Sequence, residues 1–311
     1  MKRSKFLLVI LILFFFITRV SFTKEQFTLM AVGDVNPEVL SNYSNEELKE
    51  LANTFSKADI VTGNLESPLT NSNDKTPGKS SEAIKKKRDY LFRSSPYLAS
   101  KLSFLKFTAF NLANNHIMDY STGGLLDTFA ALSSNNLYYF GAGYNYKEAH
   151  SPLLLTKKGA KIAFLGYSEI VPLYSLATQS NPGICSLDYE QIKKDINNAK
   201  KAGAEIIIIN LHWGTELAKN PADYQKILTR RIINSGADVI IGHHSHVIQP
   251  VEVYKGKTIA YSLGNFIFWA GSIESRKTQI LKIKFKKNKE WLQEYKLIPV
   301  YIKEGLPEIL K

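Results

Sequence analysis

Four consecutive isoleucines inside Glu205-Ile206-Ile207-Ile208-Ile209-Asn210-Leu211 leave the chain few folds to choose from. Cβ-branched residues favour strands, and successive strand side chains point to opposite faces, so apolar character at every position implies burial on both faces. Such a strand belongs in a sheet covered on both sides. The run empties into His212-Trp213-Gly214-Thr215-Glu216. A second apolar run, Ala237-Asp238-Val239-Ile240-Ile241, empties into Gly242-His243-His244-Ser245-His246-Val247-Ile248-Gln249, which carries three of the six histidines. Imidazoles held at a strand end are positioned before an ion arrives, so this segment is a candidate metal loop.

The remaining pattern alternates strands with amphipathic helices. Strands are predicted over Phe27–Val32, Asp59–Thr62, Phe107–Leu112 and Leu137–Phe140, with a hairpin over Leu153–Thr156 and Lys161–Tyr167. Later strands are predicted over Val239–Ile241, Val247–Tyr254, Thr258–Ser262, Gln279–Phe285 and Leu292–Ile302. A capping box at Ser44-Asn45-Glu46-Glu47 predicts a helix through about Phe55, and others are predicted over 96–105, 123–134, 187–201 and 223–234. Residues 71–87 read as a polar loop. No internal repeat or linker divides the pattern, so one domain of α/β (α+β) type with mixed sheets is expected.

At 311 residues the chain can bury a large core. Its single cysteine, Cys185, excludes an internal disulfide and a cysteine zinc site, so any metal must be held by nitrogen and oxygen. The start, Met1-Lys2-Arg3-Ser4-Lys5 followed by an uninterrupted apolar stretch from Phe6 to Ile17, reads as an export leader over residues 1–23. It is either a signal peptide cut near Ser21-Phe22-Thr23 or an uncut anchor with Arg19 at the interface. The expected location is the outer face of the cytoplasmic membrane, anchored or secreted. The formal net charge is +12, with basic runs at Lys85–Arg88, Lys193-Lys194, Lys200-Lys201 and Lys282–Lys289. Behind an export leader an anionic envelope polymer is the expected partner, and no nucleic acid is expected.

Five strand ends carry donor residues: Gly33-Asp34-Val35-Asn36, Gly63-Asn64-Leu65-Glu66, Asn114-Asn115-His116, His212 and the histidine loop. Sites in layered α/β folds form at the carboxyl ends of strands, so these five can converge on one crevice. Taken singly, a Gly-Asp is usually a turn, Asn-Asn-His can be a capped loop and His212 a packed imidazole. Together, Asp34, Glu66, Asn115, His116, His212, His244 and His246 suffice for one or two divalent ions. A carboxylate such as Glu66 can bridge two cations, and mixed oxygen and nitrogen donors favour Mn, Fe, Zn or Mg. His116 would stand beside the ligand Asn115, placed to protonate a leaving oxygen, with Asp119 orienting its ring. His150, beside Ser151-Pro152, reads as a surface residue.

These segments, with Asp119, Gly123 and Tyr261-Ser262-Leu263-Gly264-Asn265-Phe266, resemble the CapA family of poly-gamma-glutamate capsule biosynthesis proteins, within the calcineurin-like metallophosphoesterase superfamily. The resemblance spans roughly residues 27–270. It implies a metallophosphatase-like four-layer αββα sandwich over residues 24–311. It further implies Asp34 and His246 on a first metal, Glu66 as bridge, Asn115, His212 and His244 on a second, and His116 as general acid. Asn36, Asn64, His243, Glu216 and Asn265 are expected as supporting or substrate-facing groups. The chain departs from the superfamily pattern in three places: Asp34-Val35-Asn36 replaces Asp-x-His, which removes an imidazole from the first metal. Glu66 stands for the second aspartate, and Ser245 stands where the family commonly has proline.

Two functions follow as expectations. One is an envelope-located, metal-dependent hydrolase or transferase acting in synthesis, release or anchoring of an anionic polymer such as poly-gamma-glutamate, with amide and phosphoester chemistry both open. The other is a non-catalytic polymer-binding component of a membrane synthase or export complex.

Overall fold

The computed structural model describes residues 25–77, 90–172 and 174–310. The leader and the basic run at 85–88 lie outside them. Among the described residues no helix is long and apolar enough to cross a membrane.

The chain begins with β1 (Gln26–Val35), a short 3-10 helix (Pro37–Asn42), α1 (Lys49–Phe55), β2 (Ile60–Leu65), α2 (Leu98–Phe104), β3 (Ala109–Asn111), α3 (Ser121–Ser134) and β4 (Tyr138–Phe140). It continues through β5 (Ala142–Gly143), α4 (Tyr146–Ala149), β6 (Leu153–Lys157), β7 (Ala160–Ser168), β8 (Gly183–Ile184), α5 (Tyr189–Lys201), β9 (Ile206–His212), α6 (Asp223–Ser235) and β10 (Val239–His243). The last elements are β11 (Val251–Tyr254), β12 (Lys257–Ala260), β13 (Asn265–Ile267), α7 (Ile273–Arg276), β14 (Lys277–Lys287), β15 (Trp291–Lys303) and β16 (Leu306–Ile309).

These strands make two mixed sheets and a small β5–β8 pair. The first has the order β16-β15-β14-β1-β2-β3-β4, parallel from β1 to β4 and antiparallel beyond, with β13 added in parallel to β1. The second has the order β11-β12-β10-β9-β7-β6, parallel in its centre and antiparallel at both edges.

The isoleucine run shows how the layers are built. Ile206 and Ile208 point between the sheets, among Phe27, Leu29, Phe164, Ile241 and Phe285. Ile207 and Ile209 point the other way, into a core shared with Ile192 and Ile196 of α5 and Ile232 of α6. Each buried isoleucine contributes about 1.5–3 kcal/mol, so the two-sided burial secures the strand in the middle of its sheet. A third core packs α1, α2 and α3 on the outer face of the first sheet, through Phe55, Leu102, Leu125 and Phe129. Helix, sheet, sheet, helix is the resulting order, and the four layers match the expected sandwich.

Two expectations need correction. The strand expected over Val247–Tyr254 begins only at Val251. His244 and His246 have φ of 88° and 56°, which turns the backbone out of β10 and carries residues 244–250 across the sheet end as a loop. His150 is buried rather than exposed: Nδ1–H donates to Asp195 Oδ2 at 2.7 Å, and that carboxylate also accepts from Tyr167 Oη (2.9 Å) and Gln191 Nε2 (2.8 Å). The partners come from β7 and α5, too far along the chain for the local Ser-Pro context to reveal them.

Candidate metal centre

Parallel pairing aligns the motif-bearing strand ends. Asp34 stands opposite Asn64 and Asn265, Asn64 opposite Asn111, and His243 opposite His212. Glycine at 33 has a steric cause, since a Cβ there would lie 1.8 Å from the carbonyl oxygen of Gly264, against which β1 is clasped by Asp34 N–H donating to Gly264 O (3.0 Å). Gly242 meets the same constraint, 1.8 Å from Tyr261 O. The Gly-Asp is therefore part of a strand and not a turn.

Two groups of donors come together. Asp34, Glu66 and His212, all fully buried, form an inner set, and Glu216, His244 and His246 form an outer one, each set with ligand atoms within 4.8 Å of one another. The sets adjoin: the His212 and His244 ring centroids are 4.7 Å apart, and His246 Nδ1 lies 3.2 Å from Asp34 Oδ2. His212 Nε2–H donates to Asn115 Oδ1 at 2.7 Å, leaving Nδ1 as the acceptor nitrogen, 3.8 Å from Glu66 Oε2. Glu66 Oε1 and His244 Nδ1 are buried without a hydrogen-bond partner. A buried carboxylate oxygen and a buried imidazole nitrogen left unpaired are costly. Donors of this kind, without thiolate, fit a hard or borderline divalent cation.

Asn64 sits between the two inner carboxylates, and its orientation is imposed by the backbone. Asn111 Oδ1 accepts from Ala113 N–H, and Asn114 Oδ1 accepts from His116 N–H and Ile117 N–H, so both amides turn their nitrogens toward Asn64 Oδ1 (3.0 and 3.1 Å). Asn64 Nδ2 is thereby aimed at Asp34 Oδ1 (2.9 Å) and Glu66 Oε2. A neutral donor thus separates two carboxyl groups. The role of Asn111 and Asn114 as polarising amides is invisible in the sequence, because it depends on a chain of partners from two strands.

The supporting residues fall as follows. His243 lies inside β10, its Nε2–H donating to Asn210 Oδ1 (3.0 Å) and its Nδ1 3.4 Å from Asp34. Asn265 Oδ1 accepts from His246 Nδ1–H (2.8 Å) while its Nδ2 donates to Ser275 O (3.2 Å), so Nε2 is the nitrogen of His246 that an ion would take in exchange for a proton. Asn36 Oδ1 accepts from Glu38 N–H and Ser94 Oγ–H, both at 3.2 Å, and caps the 3-10 helix. His116 Nδ1–H donates to Asp119 Oδ2 (2.9 Å), which also accepts Phe92 N–H (2.7 Å). Two aromatic residues carry no motif signal yet flank the histidines: the Phe92 ring is 4.3 Å from that of His116, and Phe268 is 5.2 Å from His246.

Charge is distributed unevenly across the site. Burial opposes ionisation of Asp34, but hydrogen bonds and charge from His243 and His246 hold it well below the usual carboxylate range. Burial and the neighbouring Asp34 charge push Glu66 well up, while burial and the other imidazoles push His212 and His244 down. Burial disfavours a charged His246, yet Asp34 and Glu66 outweigh it and raise its pKa to about 9. A histidine raised from about 6.5 to that value contributes stability fully below about pH 6.5 and loses it as pH climbs through about 9. Protein kept in chelator is therefore expected to melt at lower temperature at pH 9 than at pH 6.5; an unchanged melting temperature would contradict the Asp34–His246 pairing.

Fold and site together define a two-sheet αββα sandwich with a cluster of Asp, Glu and His donors at its strand ends. Solved structures with this fold include the NAD nucleotidase of Haemophilus influenzae (TM-score 0.51, 15% identity, 92% of this chain and 54% of that one) and a putative 5′-nucleotidase from Staphylococcus aureus (TM-score 0.56, 15% identity, 89% and 55%). More narrowly, the chain belongs to the bacterial capsule synthesis protein family PGA_cap, whose model matches residues 28–270. Relatives include the capsule biosynthesis protein CapA of Bacillus anthracis, 31% identical over 91% of this chain and 69% of that protein. The PGA biosynthesis protein CapA of Bacillus subtilis is 35% identical over 83% and 65%. The matched region thus spans about two thirds of the length of these relatives.

Proposed function

We propose that this protein is an exported, metal-dependent hydrolase or transferase acting on an anionic polymer of the polyglutamate type during its synthesis, release or anchoring. The observation that carries the reading is the convergence of two three-residue donor sets, one holding the unpaired Glu66 Oε1, beside the hydrogen-bonded His116–Asp119 pair. Family membership supports the polymer class, and the export leader expected from the sequence of residues 1–23 supports the location.

Asp34, Glu66, His212, His244 and His246 would hold one or two divalent ions. Bound there, an ion supplies Lewis acidity toward a carbonyl or phosphoryl oxygen. His116, its Nδ1–H fixed on Asp119, would transfer a proton to the leaving atom, whether amide nitrogen or ester oxygen. Phe92 and Phe268 pack against His116 and His246 and shield those imidazoles from water.

His116→Ala should lower kcat on polyglutamate or on a phosphodiester about 10²–10⁴-fold while bound metal is unchanged. Equal rates in wild type and variant would remove His116 from the chemistry. The neutral Asn64 between Asp34 and Glu66 favours a second reading, a polymer-binding component of a synthase or export complex. Metal-loaded wild type that binds polymer but turns over neither substrate would establish that reading over the first.

A further inference from the structure

We propose that Glu216 is a metal ligand, completing with His244 and His246 a His₂-carboxylate set at the mouth of the site and supplying the donor that Asn36 does not. The inference rests on the reading of this site as a metal centre.

Asn36 is the residue standing where the superfamily pattern has an imidazole. Its carbonyl oxygen is already committed to Glu38 N–H and Ser94 Oγ, and it serves as a helix cap. A donor is therefore missing on the side of His246. Beyond Asp34, Glu216 is an acidic group in reach: its carboxylate lies within 4.8 Å of ligand atoms on both His244 and His246. Donors sharing one ion at bonds of about 2.1 Å are roughly 3–4 Å apart, so a small rotamer adjustment of an exposed side chain closes the set. Among the described residues, no hydrogen bond or ion pair engages this carboxylate, whereas His244 Nδ1 is buried and unpaired.

The backbone under Glu216 is built to face the histidine loop. Leu217 N–H donates to Ser245 O (2.8 Å), Gly214 N–H to Glu169 Oε2 (2.8 Å), and Gln249 Nε2 to Ala218 O (2.8 Å). Leu217, His244 and His246 all hold left-handed φ (60°, 88° and 56°), conformations that cost about 1–3 kcal/mol each and persist where surrounding contacts enforce them. Two loops from adjacent strands β9 and β10 are thus strained and laced together, with the carboxylate on one and the imidazoles on the other. Charge balance points the same way. With Asn36 and Asn64 neutral, Asp34 and Glu66 bring only two negative charges against the four positive charges of two divalent ions, and Glu216 adds a third negative charge.

The test is titration of Mn²⁺ into EDTA-treated full chain, with Co²⁺ absorption as a second readout, for wild type, Glu216→Gln and Glu216→Asp. Glu216→Gln should weaken at least one Mn²⁺ equilibrium by 10-fold or more and alter the Co²⁺ spectrum, with partial recovery in Glu216→Asp and unchanged circular dichroism in both. Wild-type affinity, stoichiometry and spectrum in Glu216→Gln would overturn the assignment of Glu216 while leaving the metal centre standing. A wild type that binds neither ion would overturn the metal reading itself.

Discussion

Asp34→Ala is expected to abolish tight divalent-ion binding and to lower the stability of the chelated protein by about 3 kcal/mol. Asp34 is fully buried and is the hub of the inner site. It accepts from Asn64 Nδ2 at 2.9 Å and from His244 N–H at 3.4 Å, and pairs with His246 and His243 at 3.2 and 3.4 Å. Removing the carboxylate strands these donors in a space that water reaches poorly, and leaves a buried imidazole whose charge Asp34 had sustained. The loss should therefore be larger than that of a surface ion pair such as Lys226–Asp223, which is worth about 0–1 kcal/mol. Urea unfolding with and without Mn²⁺ separates the two effects. Added Mn²⁺ should stabilise wild type and leave Asp34→Ala unmoved; equal stabilisation of both would remove Asp34 from the ligand set.

Gly33→Ala is the second large expectation, a loss of more than about 3 kcal/mol from a single methyl group. The new Cβ would stand 1.8 Å from Gly264 O and 2.7 Å from Gly264 C, backbone atoms that no rotamer change can move aside. β1 would have to part from the 263–265 segment, breaking the Asp34 N–H to Gly264 O bond and shifting Asp34 away from Asn265 and His246. Gly123→Ala is the matched control. It lies in α3 with nothing within 4 Å of the added Cβ, and alanine there should be neutral or stabilise by about 0.5–1 kcal/mol. A melting temperature for Gly33→Ala near that of Gly123→Ala would refute the close-approach argument.

The class of fold was legible because its signals are local. Ile206–Leu211 alternates between two cores with period two, and Asp223–Ser235 buries one helical face, as a reading of branched and amphipathic runs anticipates. The Ser44–Glu47 interaction forms, with Ser44 N–H donating to Glu47 Oε2 at 2.8 Å, but it closes a turn over 45–48 and the expected helix starts only at Lys49, with Leu48 at its N-cap. Short elements were not legible. β13 is three residues long and exists because it adds to β1, and the 3-10 helix begins where Asn36 caps it. Neither has enough residues to show a period.

For the site, sequence supplied the kinds of donor and the strand ends that carry them, because residue type and periodicity are properties of neighbouring positions. The tertiary structure decided which donors meet. Asn115 reaches His212 across 97 positions and His244 reaches Asp34 across 210, distances over which no sequence period operates. It also decided what each polar group has left to give. Backbone donors from residues 113–117 turn Asn64 toward two carboxylates, a helix cap occupies Asn36, and left-handed turns bring Glu216 to two imidazoles. The physical reason is that an amide or imidazole has a direction as well as a type, and that direction is set by partners which only the packed strands bring within hydrogen-bond reach.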